Sequence, residues 1–415
     1  MSTTYHRSAL AAQMAQQLLR PSFLDTSLRS GLFLSGQRRV GKTTFLASDL
    51  IPALEALGAV VIYVDLWSQP QANPAELVHA AIRHALGALQ APGSGLLKRL
   101  KRLNRISGLD LGAAGFSFGF KLAELGKPGG VSLAQAFTEV VDQAQTDVVL
   151  IVDEVQHALG HAEGDAMLHA LKAARDAINT RPGTPGYFLF LGTGSHRARV
   201  QELAVKGNQA FNGAVTHEFP VLGRDFVEHV LAQVCPQLGE MTPSLAVAEA
   251  AFQAMGSRPE ELMKALNVLR HLPAGTDPDA HLPTIAQSLS AAAADIELQK
   301  VAAMGALAEA VFARICGMDG DARGLFTAEA LKAYSAALGR EVAAPEVQAV
   351  LGQLMGANLL MRVKHGHYGV TDPLVEAAWR ERQQAQALLQ GGALPGGPAA
   401  GSGAGARPPP ASPPR

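Results

Sequence analysis

The residues with the clearest chemistry are Gly36-Gln37-Arg38-Arg39-Val40-Gly41-Lys42-Thr43. They satisfy the pattern Gly-x-x-x-x-Gly-Lys-Ser/Thr in full. Gly36 and Gly41 let the backbone curl, so that successive N–H groups from Gln37 through Val40 to Thr44 face phosphate oxygens. Lys42 supplies a point charge to the β- and γ-phosphates of a nucleotide, and the Thr43 hydroxyl is a ligand for Mg²⁺. A second acidic element is expected and is found at Asp153-Glu154, closing the apolar run VVLIV. Asp153 would hold Mg²⁺ directly or through water, and Glu154 would polarise the attacking water. Thr193-Gly194-Ser195 follows another apolar run. A hydroxyl from Thr193 or Ser195 there can orient water or sense the γ-phosphate, while an N-cap for a helix starting at His196 is the plainer role.

These residues need a scaffold that brings them to one edge. Apolar, β-rich runs occur at residues 32–35, 59–66, 148–152 and 187–192, with a weaker one at 215–219. Segments of helical period separate them at 43–57, 74–89, 133–145 and 166–179. Continuous apolar strands between amphipathic helices predict an α/β fold, a parallel sheet with helices on both faces. The phosphate loop then joins a strand to a helix, whose positive N-terminal end assists anion binding. Beyond Leu222 the strands stop. Helical periods at 226–234, 245–255, 259–272 and 285–315 predict an α-helical lid. Two helices at 327–337 and 345–355, a hairpin around KHGH and a final helix at 373–382 predict a winged helix-turn-helix. The expected units are an N-terminal helical segment 1–21 and a P-loop core 22–222 with an insertion near 92–130. A lid 223–320, a winged helix 321–390 and a disordered tail 391–415 complete them. The tail has seven Gly, seven Pro and no aromatic residue, too little apolar surface to offset ordering.

GQRRVGKTT, VVLIVDEVQ, FLGTGS and the helices after them resemble the P-loop ATPases of the AAA+/STAND group, and within it the archaeal ATPase family. The resemblance covers roughly residues 20–385. It implies an ATPase core joined to a helical lid and a winged helix, with ATP as the nucleotide. Gly256-Ser257-Arg258-Pro259 resembles the Gly-x-x-Pro element of the lid, which lies near adenine in that family. The resemblance makes Arg258 a candidate γ-phosphate sensor, while Pro at the first turn of a helix is its structural alternative. Arg197 and Arg199 are either fingers for a neighbouring subunit or a solvated helix face. Arg38 and Arg39 either contact phosphate or anchor the lid.

Composition narrows the partners. Among 415 residues, 35 Lys/Arg nearly cancel 36 Asp/Glu, which argues against a protein that coats nucleic acid through bulk charge. Residues 325–385 carry six basic and six acidic side chains, and the expected recognition helix PEVQAVLGQLM has no Lys or Arg. Phosphate neutralisation normally dominates DNA affinity, so a protein partner is at least as well supported as DNA. The basic segment 98–105 is read as the charged outer face of a packed helix, with nucleic acid or an anionic membrane as the alternative. His157, His161 and His169 are read as ordinary histidines. Two cysteines give no disulfide framework, and no apolar run is long enough for a membrane span. A cytoplasmic setting is expected, with an organellar presequence as the alternative reading of the N-terminus. Self-association is open. The functional expectation is a nucleotide-driven switch ATPase. Its alternatives are a DNA-binding initiator or helper ATPase and a non-hydrolysing nucleotide-binding adaptor.

Overall fold

A computed structural model of the chain describes residues 4–22, 27–69, 72–91, 132–159, 162–195, 200, 203–204, 210–318, 322–364 and 366–389. The insertion at 92–130, the tail, His161, Arg197 and Arg199 lie outside them. Strands β1 (Leu32–Ser35), β2 (Val60–Asp65), β3 (Val148–Asp153), β4 (Phe188–Gly194) and β5 (Val215–Glu218) form one sheet in the order β2-β3-β4-β1-β5. Every pairing in it is parallel, so all five carboxyl ends lie along one edge. β4 therefore stands between the strand that enters the phosphate loop and the strand that ends in Asp153.

Alternate residues of β1–β4 feed two cores. Phe33, Leu150, Val152 and Phe190 face one, with α4 (Pro74–Gln90), α5 (Leu133–Ala144) and α6 (Ala162–Asn179). Leu34, Val149, Ile151 and Leu191 face the other, with α1 (Ser8–Leu19) and the helix after the phosphate loop. This two-residue alternation is why the strands read as unbroken apolar runs: both faces are covered. Each large apolar side chain so buried contributes about 1.5–3 kcal/mol before entropy is subtracted. The helix after the loop comprises α2 (Lys42–Phe45), a π turn (Leu46–Leu50) and α3 (Ile51–Ala56). The π turn holds the buried Asp49, which accepts the Arg7 N–H at 3.1 Å and pairs with His6 Nδ1 at 2.7 Å. That clamp, and the Arg7 guanidinium 4.9 Å over the Phe219 ring, fixes α1 to the core.

The remaining helices are α7 (Arg224–Leu238), α8 (Leu245–Ala254), α9 (Pro259–Arg270) and α10 (Pro278–Ala303), followed by α11 (Ala306–Cys316), α12 (Ala328–Leu338), α13 (Ala344–Gly356) and α14 (Pro373–Leu389). The single helix expected over 285–315 is two. Gly305, at φ 97°, breaks it, a conformation open to glycine at little cost. The final helix runs seven residues beyond its expected end. A short strand β6 (Ala322–Arg323), unexpected from sequence, joins β7 (Leu360–Lys364) and β8 (His367–Val370) in an antiparallel sheet ordered β6-β8-β7. Two helices, the hairpin and this third strand make the winged-helix arrangement.

Hydrophobic packing divides the helical half within α10. Residues from Leu222 to Ala286 share one core, and residues from Ala294 to Val375 share another that includes α11. One continuous 26-residue helix thus serves both cores and couples them mechanically.

Candidate nucleotide site

The loop between β1 and α2 is tied to the sheet at its entrance, where the Gly36 N–H donates to the Gly194 carbonyl at 3.2 Å. A Cβ on Gly36 would sit 3.2 Å from the Phe219 Cβ, a contact tighter than side chains normally tolerate. Arg39 at φ 64° and Gly41 at φ 88° turn the chain back on itself. Buried Lys42 donates from Nζ to the Gly36 and Gln37 carbonyls, at 2.7 and 2.6 Å, bracing the loop from within. Burial lowers its pKa, Glu154 and Asp153 oppose that shift, and the Arg38 charge adds to it.

Asp153 ends β3 and is the hub. Thr43 Oγ1 donates to its Oδ2 at 2.7 Å, joining the residues read as the two halves of a metal site across 110 positions of chain. Thr193 Oγ1 donates to Oδ1, the Glu154 N–H reaches the same oxygen at 3.1 Å, and the Tyr63 hydroxyl donates to Oδ2 at 3.2 Å. Burial and the Asp153 and Asp65 charges push the Tyr63 phenol well up, so it remains a donor. A hydroxyl and a carboxylate meeting here are hard oxygen donors of the kind Mg²⁺ takes, and Mg²⁺ needs only one or two from protein when phosphates and water complete its shell. The pair fits that ion.

Glu154 is held differently. Its backbone adopts φ 55°, a left-handed conformation uncommon outside glycine. Its Oε2 accepts the Ser195 hydroxyl at 2.9 Å, the Ser195 N–H at 3.3 Å and Gln156 Nε2. Gln156 also reaches Ser195 Oγ at 3.4 Å. Gly194 makes room for this, because a Cβ there would lie 2.2 Å from Gln156 Oε1. The strand end at 193–195 therefore divides its hydroxyls, Thr193 to Asp153 and Ser195 to Glu154.

The two loop arginines part company. Arg39 points to the lid, with Nη1 3.8 Å from Glu261 of α9. Arg38 donates from Nε to Ser195 Oγ at 3.3 Å and lies over the Trp67 ring at 5.3 Å. Arg258 precedes Pro259 at the start of α9, is 7% exposed, and pairs with Asp372 at the start of α14. The structure thus places the expected sensor against the winged helix. Both partners still line a cavity of about 270 Å³ whose other walls include Gln37, Arg38 and Ser195.

Four residues here were not anticipated from the sequence: Tyr63, Asp65, Trp67 and Gln156. Asp65 did carry a signal, since it ends the apolar run of β2 as Asp153 ends that of β3, and the two are in register. Burial raises its pKa, with Asp153 and Glu154 adding to the rise and the Trp67 N–H opposing it.

The architecture has solved counterparts. A Walker-type ATPase of Pyrococcus abyssi superposes with a TM-score of 0.53 at 16% identity, covering 91% of this chain and 96% of that one. The Aeropyrum pernix ORC2 protein in its ADP form superposes with a TM-score of 0.50 at 15% identity, covering 92% and 93%. The chain has the fold of the AAA+ ATPases. No protein-family profile matches the sequence, and no curated protein does. The phosphate loop, Asp153-Glu154 and Thr193–Ser195 share the carboxyl edge of the sheet. No described helix is long and apolar enough to cross a membrane.

Proposed function

We propose that this protein is a Mg²⁺-dependent ATPase that works as a nucleotide-driven switch on a partner. The junction of Thr43, Asp153 and Thr193, with Glu154 one residue away, carries the reading. The loop amides and Lys42 bind the triphosphate, with Lys42 exchanging its two carbonyl partners for phosphate oxygens. Thr43 and Asp153 would hold Mg²⁺, which would supply charge neutralisation at the phosphates. Glu154, oriented by Ser195 and Gln156, takes a proton from the attacking water.

The switch resides in Arg258. Its pairing with Asp372 holds the lid against the winged helix beside the phosphate loop. A γ-phosphate in that cavity competes with Asp372 for the same guanidinium, so nucleotide state biases how the winged helix sits. The neutral charge balance of residues 325–385 favours a protein partner over DNA, and a low-salt DNA shift assay separates the two.

The testing experiment is steady-state phosphate release with parallel nucleotide binding. Lys42→Ala should weaken ATP binding by about 10- to 100-fold, the worth of one charged hydrogen-bonding group. Glu154→Gln should bind normally and turn over about 10²–10⁴-fold more slowly. Equal turnover by wild type and both variants would exclude this function.

A further inference from the structure

Arg38 occupies a place in the loop that the phosphate-binding motif leaves unspecified, yet it is tied into the hydrolytic side of the site. Its Nε donates to Ser195 Oγ, and Ser195 donates to Glu154, so one hydroxyl separates a guanidinium from the proposed general base. The other four N–H donors of Arg38 make no hydrogen bond among the described residues. The same guanidinium lies over Trp67, whose ring packs on His157 at 4.4 Å. Trp67 is 47% exposed, and its backbone N–H is fixed by Asp65 Oδ1 at 2.8 Å. Arg38 is also close enough to Lys42 for its charge to help lower the lysine pKa. A half-exposed tryptophan beneath a loop arginine is a parking surface, since the attraction to an aromatic face holds the cation loosely while leaving its planar donors usable.

We infer that Arg38 is a catalytic arginine supplied in cis by the phosphate loop, with Trp67 as the positioning residue that holds it beside the γ-phosphate. The inference rests on the ATPase reading and adds the group that neutralises the transferring phosphoryl. In the step, a water oxygen bonds to Pγ as the bond from Pγ to the β–γ bridging oxygen breaks. The water proton passes to Glu154, and ADP and inorganic phosphate are the products. Negative charge on the equatorial γ-oxygens and the leaving oxygen is what the spare Arg38 donors would meet. Arg39, committed to Glu261, serves instead as the lid anchor.

The experiment compares wild type, Arg38→Ala, Arg38→Lys and Trp67→Phe, measuring kcat, ATP dissociation constant and tryptophan fluorescence. Arg38→Ala should lower kcat by about 10²-fold or more while ATP affinity changes by less than about threefold. Arg38→Lys should recover part of the rate, keeping the charge without the fork. ATP–Mg²⁺ should change Trp67 emission as the guanidinium moves onto phosphate. That signal should vanish in both Arg38→Ala and Trp67→Phe. Weaker ATP binding with unchanged kcat in Arg38→Ala would make Arg38 a ground-state anchor and overturn the inference. Normal wild-type turnover with an unaffected Arg38→Ala overturns this inference alone. No wild-type turnover above that of Glu154→Gln overturns the ATPase reading and this inference with it.

Discussion

The carboxyl edge of the parallel sheet and the winged-helix unit bury their polar groups in opposite ways. At the sheet edge Lys42, Asp153, Gln156, Thr193 and Ser195 are all nearly inaccessible and hydrogen-bonded, Lys42 within its own loop and the others across to a different strand or loop. The winged-helix unit is built on an apolar core running from Ala294 to Val375, and beside the cavity its Asp372 pairs with Arg258 of the lid. A dense network is stiff because losing any member strands the others in a low-dielectric setting. Arg258 is as buried as Lys42 but lines the cavity, where another anion can take the place of Asp372 as its partner. The contrast separates a rigid chemical centre from a movable unit beside it.

Breaking the network should have the larger effect. Thr193→Val keeps shape but leaves Asp153 Oδ1 without its buried hydroxyl donor. The expected cost is about 1.5–3 kcal/mol of unfolding free energy, the range for a hydrogen bond to a charged group. Urea unfolding reads this, and phosphate release should fall in parallel because Asp153 is released from its fixed position. A stability change below about 0.5 kcal/mol, the scatter of surface substitutions, would mean the network is looser than its geometry implies.

Breaking the ion pair should show in nucleotide binding. Asp372→Asn keeps the cap on α14, where Oδ1 accepts the Leu374 N–H at 3.1 Å, while removing the charge that holds Arg258. If phosphate must win Arg258 from Asp372, ATP should bind about three- to tenfold more tightly, as expected for a coupling near 1 kcal/mol. Isothermal titration with ATP and ADP measures it. An unchanged ATP affinity would show that Arg258 does not exchange partners.

The same contrast explains what the sequence disclosed. Four strands of the large sheet were plainly legible, because residues covered by the two cores must be apolar; β5 (Val-Thr-His-Glu), half-buried to exposed at the sheet edge, left only a weak signal. Lys42, Thr43, Asp153 and Glu154 were legible because each closes or opens an element within a motif of fixed spacing. Trp67 beneath Arg38, Gln156 between Glu154 and Ser195, and Tyr63 above Asp153 carry no local pattern; their roles arise from strand order. Arg258 was singled out, but its partner lies 114 residues away and no periodicity reports such a pair. The break at Gly305 was hidden because apolar helical spacing continues across it on both sides.

A finer test sits at the network's margin. Asp65 ends β2 beside Asp153, and burial with two neighbouring carboxylates raises its pKa in the folded protein. A carboxyl with a raised folded pKa binds its proton more tightly folded than unfolded, so its ionisation costs stability once pH exceeds the folded value. As pH falls from the raised folded pKa towards the ordinary carboxylate value of 3.8, that penalty is progressively relieved. Asp65→Asn removes the charge and retains an acceptor for the Trp67 N–H. The variant should therefore melt slightly above wild type at neutral pH, with the gap closing on acidification through that window. A gap independent of pH would place the effect in lost packing or turn geometry, and a gap of opposite sign would mean that the Asp65 charge is needed at this edge even without nucleotide.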